Sequence, residues 1–198
     1  MGKIKHLRSV LELFERSPVV DFASIKKHVK NDAYAKLLVH QLMAKGHVHK
    51  LAKGFYTKHS NPELAVYAFK PSYFGLQDAL SFHNLWEQET IPVIITSRHV
   101  RTGIRNILGS NVLIRRLERK FIFGYEYVGQ GNSALPYSDI EKTLIDMVYF
   151  KENIDGVVLK NILLRLNIPR LKKYLKDYDR KIRAKVLAFV NKLLHPKA

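Results

Sequence analysis

The chain has 198 residues, of which 46% are hydrophobic and 26% are charged, as in an ordinary globular protein. The 34 Lys and Arg residues outnumber the 17 Asp and Glu residues, and the resulting formal charge of +17 favours a polyanionic partner. The longest apolar run, Leu64–Phe69, has six residues, too few for a membrane span, and the lack of cysteine excludes disulfides and thiol catalysis.

The positive charge is concentrated at the two ends of the chain. Residues 1–60 carry a net charge of +8, residues 61–150 a net charge of zero and residues 151–198 a net charge of +9. Within the neutral middle, the segment Arg98–Lys120 has seven basic residues and one acidic residue. Such surfaces attract phosphates, because neutralising a polyphosphate releases its counterions. We expect a cytoplasmic protein that does not bind membranes.

Three helices are predicted near the N-terminus. Apolar residues at helical spacing predict a first helix over residues 3–16, which the Ser17-Pro18 pair ends. Asp21 can cap a second helix, and residues 31–32 can cap a third that runs through Lys45.

A basic β-hairpin is predicted directly after the third helix, over residues 47–58, with a turn at Ala52-Lys53-Gly54. Three helices followed by a hairpin is the order of a winged helix-turn-helix, whose third helix enters the major groove of DNA. We predict this DNA-binding domain over residues 1–60. The third helix would present four residues to base edges and the hairpin two lysines to phosphates: Ala33, Lys36, Leu37, His40, Lys50 and Lys53.

Residues 61–198 are predicted to form a second domain with a small sheet and a C-terminal helical bundle, so the fold class is α+β. Its predicted elements are a helix over residues 75–89, strands over 92–96, 112–117 and 121–128, a helix capped by Ser138 with Glu141 in its first turn, and helices from Gly156 onward.

Several segments carry a family pattern over nearly the whole chain. They are Leu42-x-x-x-Gly-His-Val48 and Lys53-Gly-Phe-Tyr56 at the hairpin, then Tyr73-Phe-Gly-Leu-Gln-Asp-Ala-Leu-Ser-Phe-His-Asn-Leu-Trp-Glu-Gln88, Pro92 with Ile94-Ile-Thr96, Phe121-Ile-Phe-Gly124 and Ser138-Asp-Ile-Glu-Lys-Thr-Leu-Ile-Asp146. In these segments the chain resembles the AbiEi family, described as transcriptional regulators of viral defence systems and as antitoxins. One departure is Ile140, where the family often has proline.

The resemblance implies a winged-helix domain and an antitoxin domain on one chain. Such a regulator represses its own operon by binding repeats in the promoter. It also counters a partner toxin that is similar to nucleotidyltransferases.

We expect the polar residues of these motifs to stabilise the fold rather than to take part in catalysis or metal binding. We expect His83 to be packed and hydrogen-bonded and Glu141 to cap its helix. Lys142 is expected on the surface. Asp146 is expected to bond to the backbone or to an arginine.

Two other functions stay open at this stage. A protein-interaction module would use its basic C-terminal tail to bind an acidic partner or a toxin, and its winged helix would not bind DNA. A magnesium-dependent nuclease would use Glu118 and Lys120 on one predicted strand, although a second metal-binding acid is missing. His47, His49 and His59 have no carboxylate beside them to complete a zinc site. We therefore predict a protein without catalytic residues, bound metal or cofactor.

Overall fold

The structure is a computed structural model that describes residues 6–131 and 134–194, the last three by their backbone alone. Its N-terminal unit, residues 6–57, contains three helices and a three-stranded antiparallel sheet in the order β1-β3-β2. In chain order its elements are α1 Leu7–Arg16, β1 Val20–Asp21, α2 Phe22–Val29, α3 Asp32–Ala44, β2 His49–Ala52 and β3 Phe55–Thr57.

Local signals in the sequence set the ends of these helices. The Asp21 carboxylate accepts a hydrogen bond from the Ser24 amide at 2.6 Å and caps α2. Asn31 caps α3 through the Tyr34 amide at 2.9 Å. Gly46, with φ of 71°, follows the end of α3, because glycine takes a left-handed conformation without a steric penalty. The second and third predicted helices are therefore confirmed.

The C-terminal unit, residues 62–194, is built on a six-stranded mixed sheet in the order β6-β7-β5-β4-β9-β8. Its strands are β4 Ser72–Phe74, β5 Val93–Thr96, β6 Gly103–Ile107, β7 Ser110–Arg116, β8 Tyr125–Val128 and β9 Leu135–Ser138. Its helices are α4 Ala65–Ala68, α5 Leu76–Phe82, α6 Ile140–Phe150, α7 Gly156–Arg165, α8 Ile168–Tyr174 and α9 Arg180–Leu194. Helices and strands together confirm the α+β class, and no helix of the described residues is long and apolar enough to cross a membrane.

The six-stranded sheet separates two apolar layers. On one face, Tyr73, Val93 and Ile95 pack in a core cluster with residues of α6 to α9. On the other face, residues such as Ile94 pack against α4 and against Leu51 of β2. The hairpin of the N-terminal unit is therefore docked onto this second face of the sheet.

The six-stranded sheet and helix α5 differ from the sequence prediction. Strands β4, β6 and β9 were not predicted. Only the second half of the predicted strand 121–128 is extended, because a 3₁₀ turn occupies Arg119–Phe121 and Gly124 has φ of 68°. The helix predicted over 75–89 ends at Phe82, since Asn84 turns left-handed with φ of 55°.

The polar residues around α6 also correct the sequence prediction. Asp139, rather than Ser138, caps the helix by accepting from the Lys142 amide at 2.7 Å. Glu141 accepts from the Asn167 amide at 2.6 Å and so holds the start of α8.

Lys142 is not on the surface but fully buried, as is Asp146, and their side chains form an ion pair one helical turn apart. The Tyr73 hydroxyl donates to the other oxygen of Asp146 at 2.7 Å, and the rings of Tyr73, Phe123 and Tyr178 lie 5.2–5.9 Å from the Lys142 ammonium. Burial lowers the pKa of Lys142 and raises the pKa of Asp146. The pair forms a polar centre inside the apolar core.

Stability is expected to fall as the pH rises from about 4 to about 7, because of Asp78. Burial raises the pKa of Asp78 to about 7, while the hydrogen bond that it accepts from the Val93 amide at 2.9 Å lowers it and Glu63 raises it. An acid whose pKa is higher in the folded state loses its stabilising contribution as the pH rises through that interval. In D78N this pH-dependent contribution should vanish because asparagine does not titrate, while its amide oxygen can still accept from the Val93 amide. Urea unfolding from pH 4 to pH 8 measures it, and equal pH slopes for both proteins would contradict the assignment.

Candidate nucleic-acid interface

Helix α3 has one buried side and one free side. Ala35, Leu38, Val39 and Leu42 are buried in the core of the N-terminal unit. Ala33, Lys36, Leu37 and His40, which the sequence assigned to base contacts, are all exposed on the opposite side. The structure thus brings these four candidates together on a surface that the rest of the described chain does not cover.

The free side of α3 is partly apolar. The Leu37 side chain is 51% exposed and Met43 is 38% exposed. Single exposed apolar residues are common on protein surfaces, so these two side chains make an apolar contact available without identifying a partner. Thymine methyl groups and apolar protein side chains are both suitable partners.

The charge of Lys36 is partly compensated in the free molecule. Its ammonium lies 2.7 Å from a carboxylate oxygen of Asp32, and Lys26 of α2 lies 3.1 Å from the other oxygen. These two lysines lower the pKa of Asp32. Because all three side chains are exposed, the contacts are weak and can exchange for contacts to a phosphate.

The hairpin is short and its turn is anchored. The Gly54 carbonyl accepts from the Phe22 amide at 2.8 Å, which ties the turn to the start of α2. Leu51 is buried against the C-terminal unit. Lys50 and Lys53 are exposed, as their predicted role requires, but they lie on a separate element from the α3 residues.

The end of α2 adds basic residues that the sequence prediction did not include. Lys26, Lys27 and His28 occupy its last turn, and Lys30 follows with a left-handed φ of 59°. All four are exposed. Their signal in the sequence was a cluster of three basic residues just before the cap of the third helix.

The basic segment Arg98–Lys120 is divided by strand alternation. Arg115 points to one face of the sheet, where it contacts Glu152 at 2.5 Å. Arg116, the next residue, lies with Arg98 and Arg119 around a cleft. Arg98, Arg116 and Arg119 therefore form a cluster that Arg115 does not join.

Glu118 and Lys120 do not share the strand face on which the nuclease hypothesis depends. Glu118 and Lys120 lie in a loop and a 3₁₀ turn rather than on a strand, and their side chains form an ion pair at 2.9 Å. Among the described residues, no three His, Asp or Glu side chains are grouped as a metal site, and His47, His49 and His59 are exposed.

His83 is hydrogen-bonded, as the sequence analysis expected. Its Nε2 lies 2.7 Å from the Ser138 carbonyl, and the Arg165 guanidinium donates to the His83 carbonyl at 2.5 Å. These bonds connect the end of α5 to β9 and α7. A structural role therefore accounts for His83.

Comparison with known proteins supports the architecture. A crystal structure of the RV2827C protein from Mycobacterium tuberculosis matches 94% of this chain and 76% of that chain, with a TM-score of 0.60. The two sequences are 12% identical, so the likeness shows a shared fold alone. No protein-family model and no curated protein matches the chain.

Proposed function

We propose that this protein is a DNA-binding transcriptional regulator whose N-terminal unit acts as a winged helix. The observation that carries the proposal is the free side of α3, where Lys36, Leu37 and His40 are exposed together. Helix α3 would lie in the major groove, and the α2–α3 pair would place it there. Lys50 and Lys53 of the hairpin would contact phosphates.

The charge distribution supports a nucleic-acid partner. The first 60 residues carry a net charge of +8, and Lys26, Lys27 and Lys30 extend the basic surface beside α3. Contacts from these residues would supply affinity that does not depend on sequence. The α3 residues would supply the discrimination between bases.

The resemblance to the AbiEi family extends the proposal to autoregulation. The protein would bind repeats in its own promoter, and its C-terminal unit would act as an antitoxin against a nucleotidyltransferase-like toxin. Co-expression with the product of the adjacent gene tests the second part. Growth arrest by that product alone, relieved by this protein, is the expected result, and arrest without relief would contradict the antitoxin role.

Two lysine variants are expected to separate the two kinds of contact. K53A should weaken binding to all duplexes and reduce the slope of log K against log salt by about one. K36A should also change the preference among operator variants, by about 1–3 kcal/mol at the contacted base pair. Gel shifts on the region upstream of the gene, at several salt concentrations, measure both effects. Wild-type binding by both variants would show that α3 and the hairpin are misassigned.

A protein-interaction module is the second candidate, and the exposure of Leu37 and Met43 is the observation that favours it. In that case the free side of α3 would cover an apolar surface of a partner protein. The same gel shift distinguishes the candidates. An interaction module would not slow the migration of DNA from upstream of its own gene at physiological salt.

A further inference from the structure

A cleft of about 720 Å³ opens at the edge of the six-stranded sheet where β5 and β7 end. These strands are parallel neighbours, with Thr96 opposite Arg116, so their carboxyl ends meet at this edge. The loops that follow them form the walls of the cleft, with residues 97–99 on one side and residues 117–119 on the other. Crevices at the carboxyl ends of parallel strands commonly hold small ligands, and this volume suits one.

Three arginines line this cleft: Arg98, Arg116 and Arg119. Among the described residues, no carboxylate forms an ion pair with any of them, whereas Arg115 on the other face of β7 is paired with Glu152. Glu118 also lines the cleft, but Lys120 lies 2.9 Å from its carboxylate. The cleft is therefore electropositive, because its three arginines outnumber Glu118, the one acidic residue among its described lining residues.

The groups around the cleft differ in how firmly they are held. The Arg98 guanidinium donates to the Ala68 carbonyl and lies 5.4 Å from the centre of the Phe55 ring. Arg116 contacts the Nδ1 atom of His99 at 3.4 Å. Arg119 starts the 3₁₀ turn that follows β7, and its side chain is exposed. Arg116 and Arg119 are thus available to a ligand, while the Arg98 guanidinium is already bonded to the Ala68 carbonyl.

We propose that this cleft binds a small ligand that carries a phosphate chain, such as pyrophosphate or a nucleoside triphosphate. The planar guanidinium group binds phosphate oxygens through two parallel hydrogen bonds. A short phosphate chain can enter a concave cleft and reach several guanidinium groups at once. A rigid duplex would instead lie across the rim. This proposal does not depend on the DNA-binding function of the N-terminal unit.

Isothermal titration calorimetry with the full chain, in a low-salt buffer free of phosphate, tests the proposal. The titrants are inorganic pyrophosphate, ATP and adenosine. The variants are R116A/R119A and, as a control that removes two charges elsewhere, K172A/K173A on the exposed side of α8. Arg98 is left in place because its bond to Ala68 joins the sheet edge to α4.

The expected result is saturable binding of pyrophosphate and ATP but not adenosine, weakened about 10-fold or more in R116A/R119A and unchanged in K172A/K173A. Equal weakening by the control variant, or no binding by the wild type, would overturn the proposal. So would loss of duplex binding in R116A/R119A without any binding of ATP or pyrophosphate by the wild type, because the arginines would then contact the DNA backbone. Unchanged circular dichroism of both variants verifies that they fold.

Discussion

Replacing Lys142 by methionine is expected to lower the free energy of unfolding by about 3–5 kcal/mol, because Asp146 would stay buried without its partner. Lys142 and Asp146 are both fully buried, and among the described residues only Tyr73 would remain to bond the carboxylate. The single tryptophan, Trp86, packs against the same core cluster, so its fluorescence during urea unfolding reports on this unit.

Two further variants make this experiment specific. K160M removes an exposed lysine from α7 and should change stability by about 0.5 kcal/mol or less. The triple variant Y73F/K142M/D146L replaces the whole polar centre by apolar groups and should recover most of the lost stability, because no charge or hydroxyl is left unpaired. A K142M protein as stable as K160M would mean that Lys142 is not buried against Asp146.

L37E is expected to weaken duplex binding by roughly 100-fold or more, because it places a negative charge against the phosphates and bases. Leu37 is central on the free side of α3 and half-exposed, so the substitution should leave the fold intact. Fluorescence anisotropy with a labelled duplex from the upstream region measures the affinity.

The matched control for L37E is L164E. Leu164 is 77% exposed on α7, and the same change of side chain there adds the same charge to the protein. L164E should bind DNA within about twofold of the wild type, because a single distant charge is largely screened at physiological salt. Equal losses in both variants would indicate an effect of net charge and would remove α3 from the interface.

The N-terminal unit could be predicted because its signals are local. Asp21, Asn31 and Gly46 each mark a helix end through the backbone groups beside them. The exposed residues of α3 followed from the same periodicity, since the residues opposite Leu38 and Leu42 cannot also face the core.

The C-terminal unit was harder to predict because long-range contacts decide it. Strand β6 lies at the sheet edge and contains Arg105 and Asn106, so its apolar pattern is weak. Lys142 was predicted on the surface and Asp146 was predicted to bond to the backbone or to an arginine. Their mutual ion pair is buried by contacts with distant residues such as Tyr73, which local spacing does not show. The arginine cleft depends on the pairing of β5 with β7, which no short motif specifies.

Photo-cross-linking shows whether α3 lies against the bound duplex, with p-benzoylphenylalanine placed at position 40 on α3 or at position 164 on α7. The protein is irradiated with the upstream duplex, and DNA-bound protein is counted on a denaturing gel. Cross-linked DNA is expected from position 40, because α3 would lie in the groove, and only background from position 164. Equal yields from the two positions, or binding without cross-linking from position 40, would contradict this placement of α3.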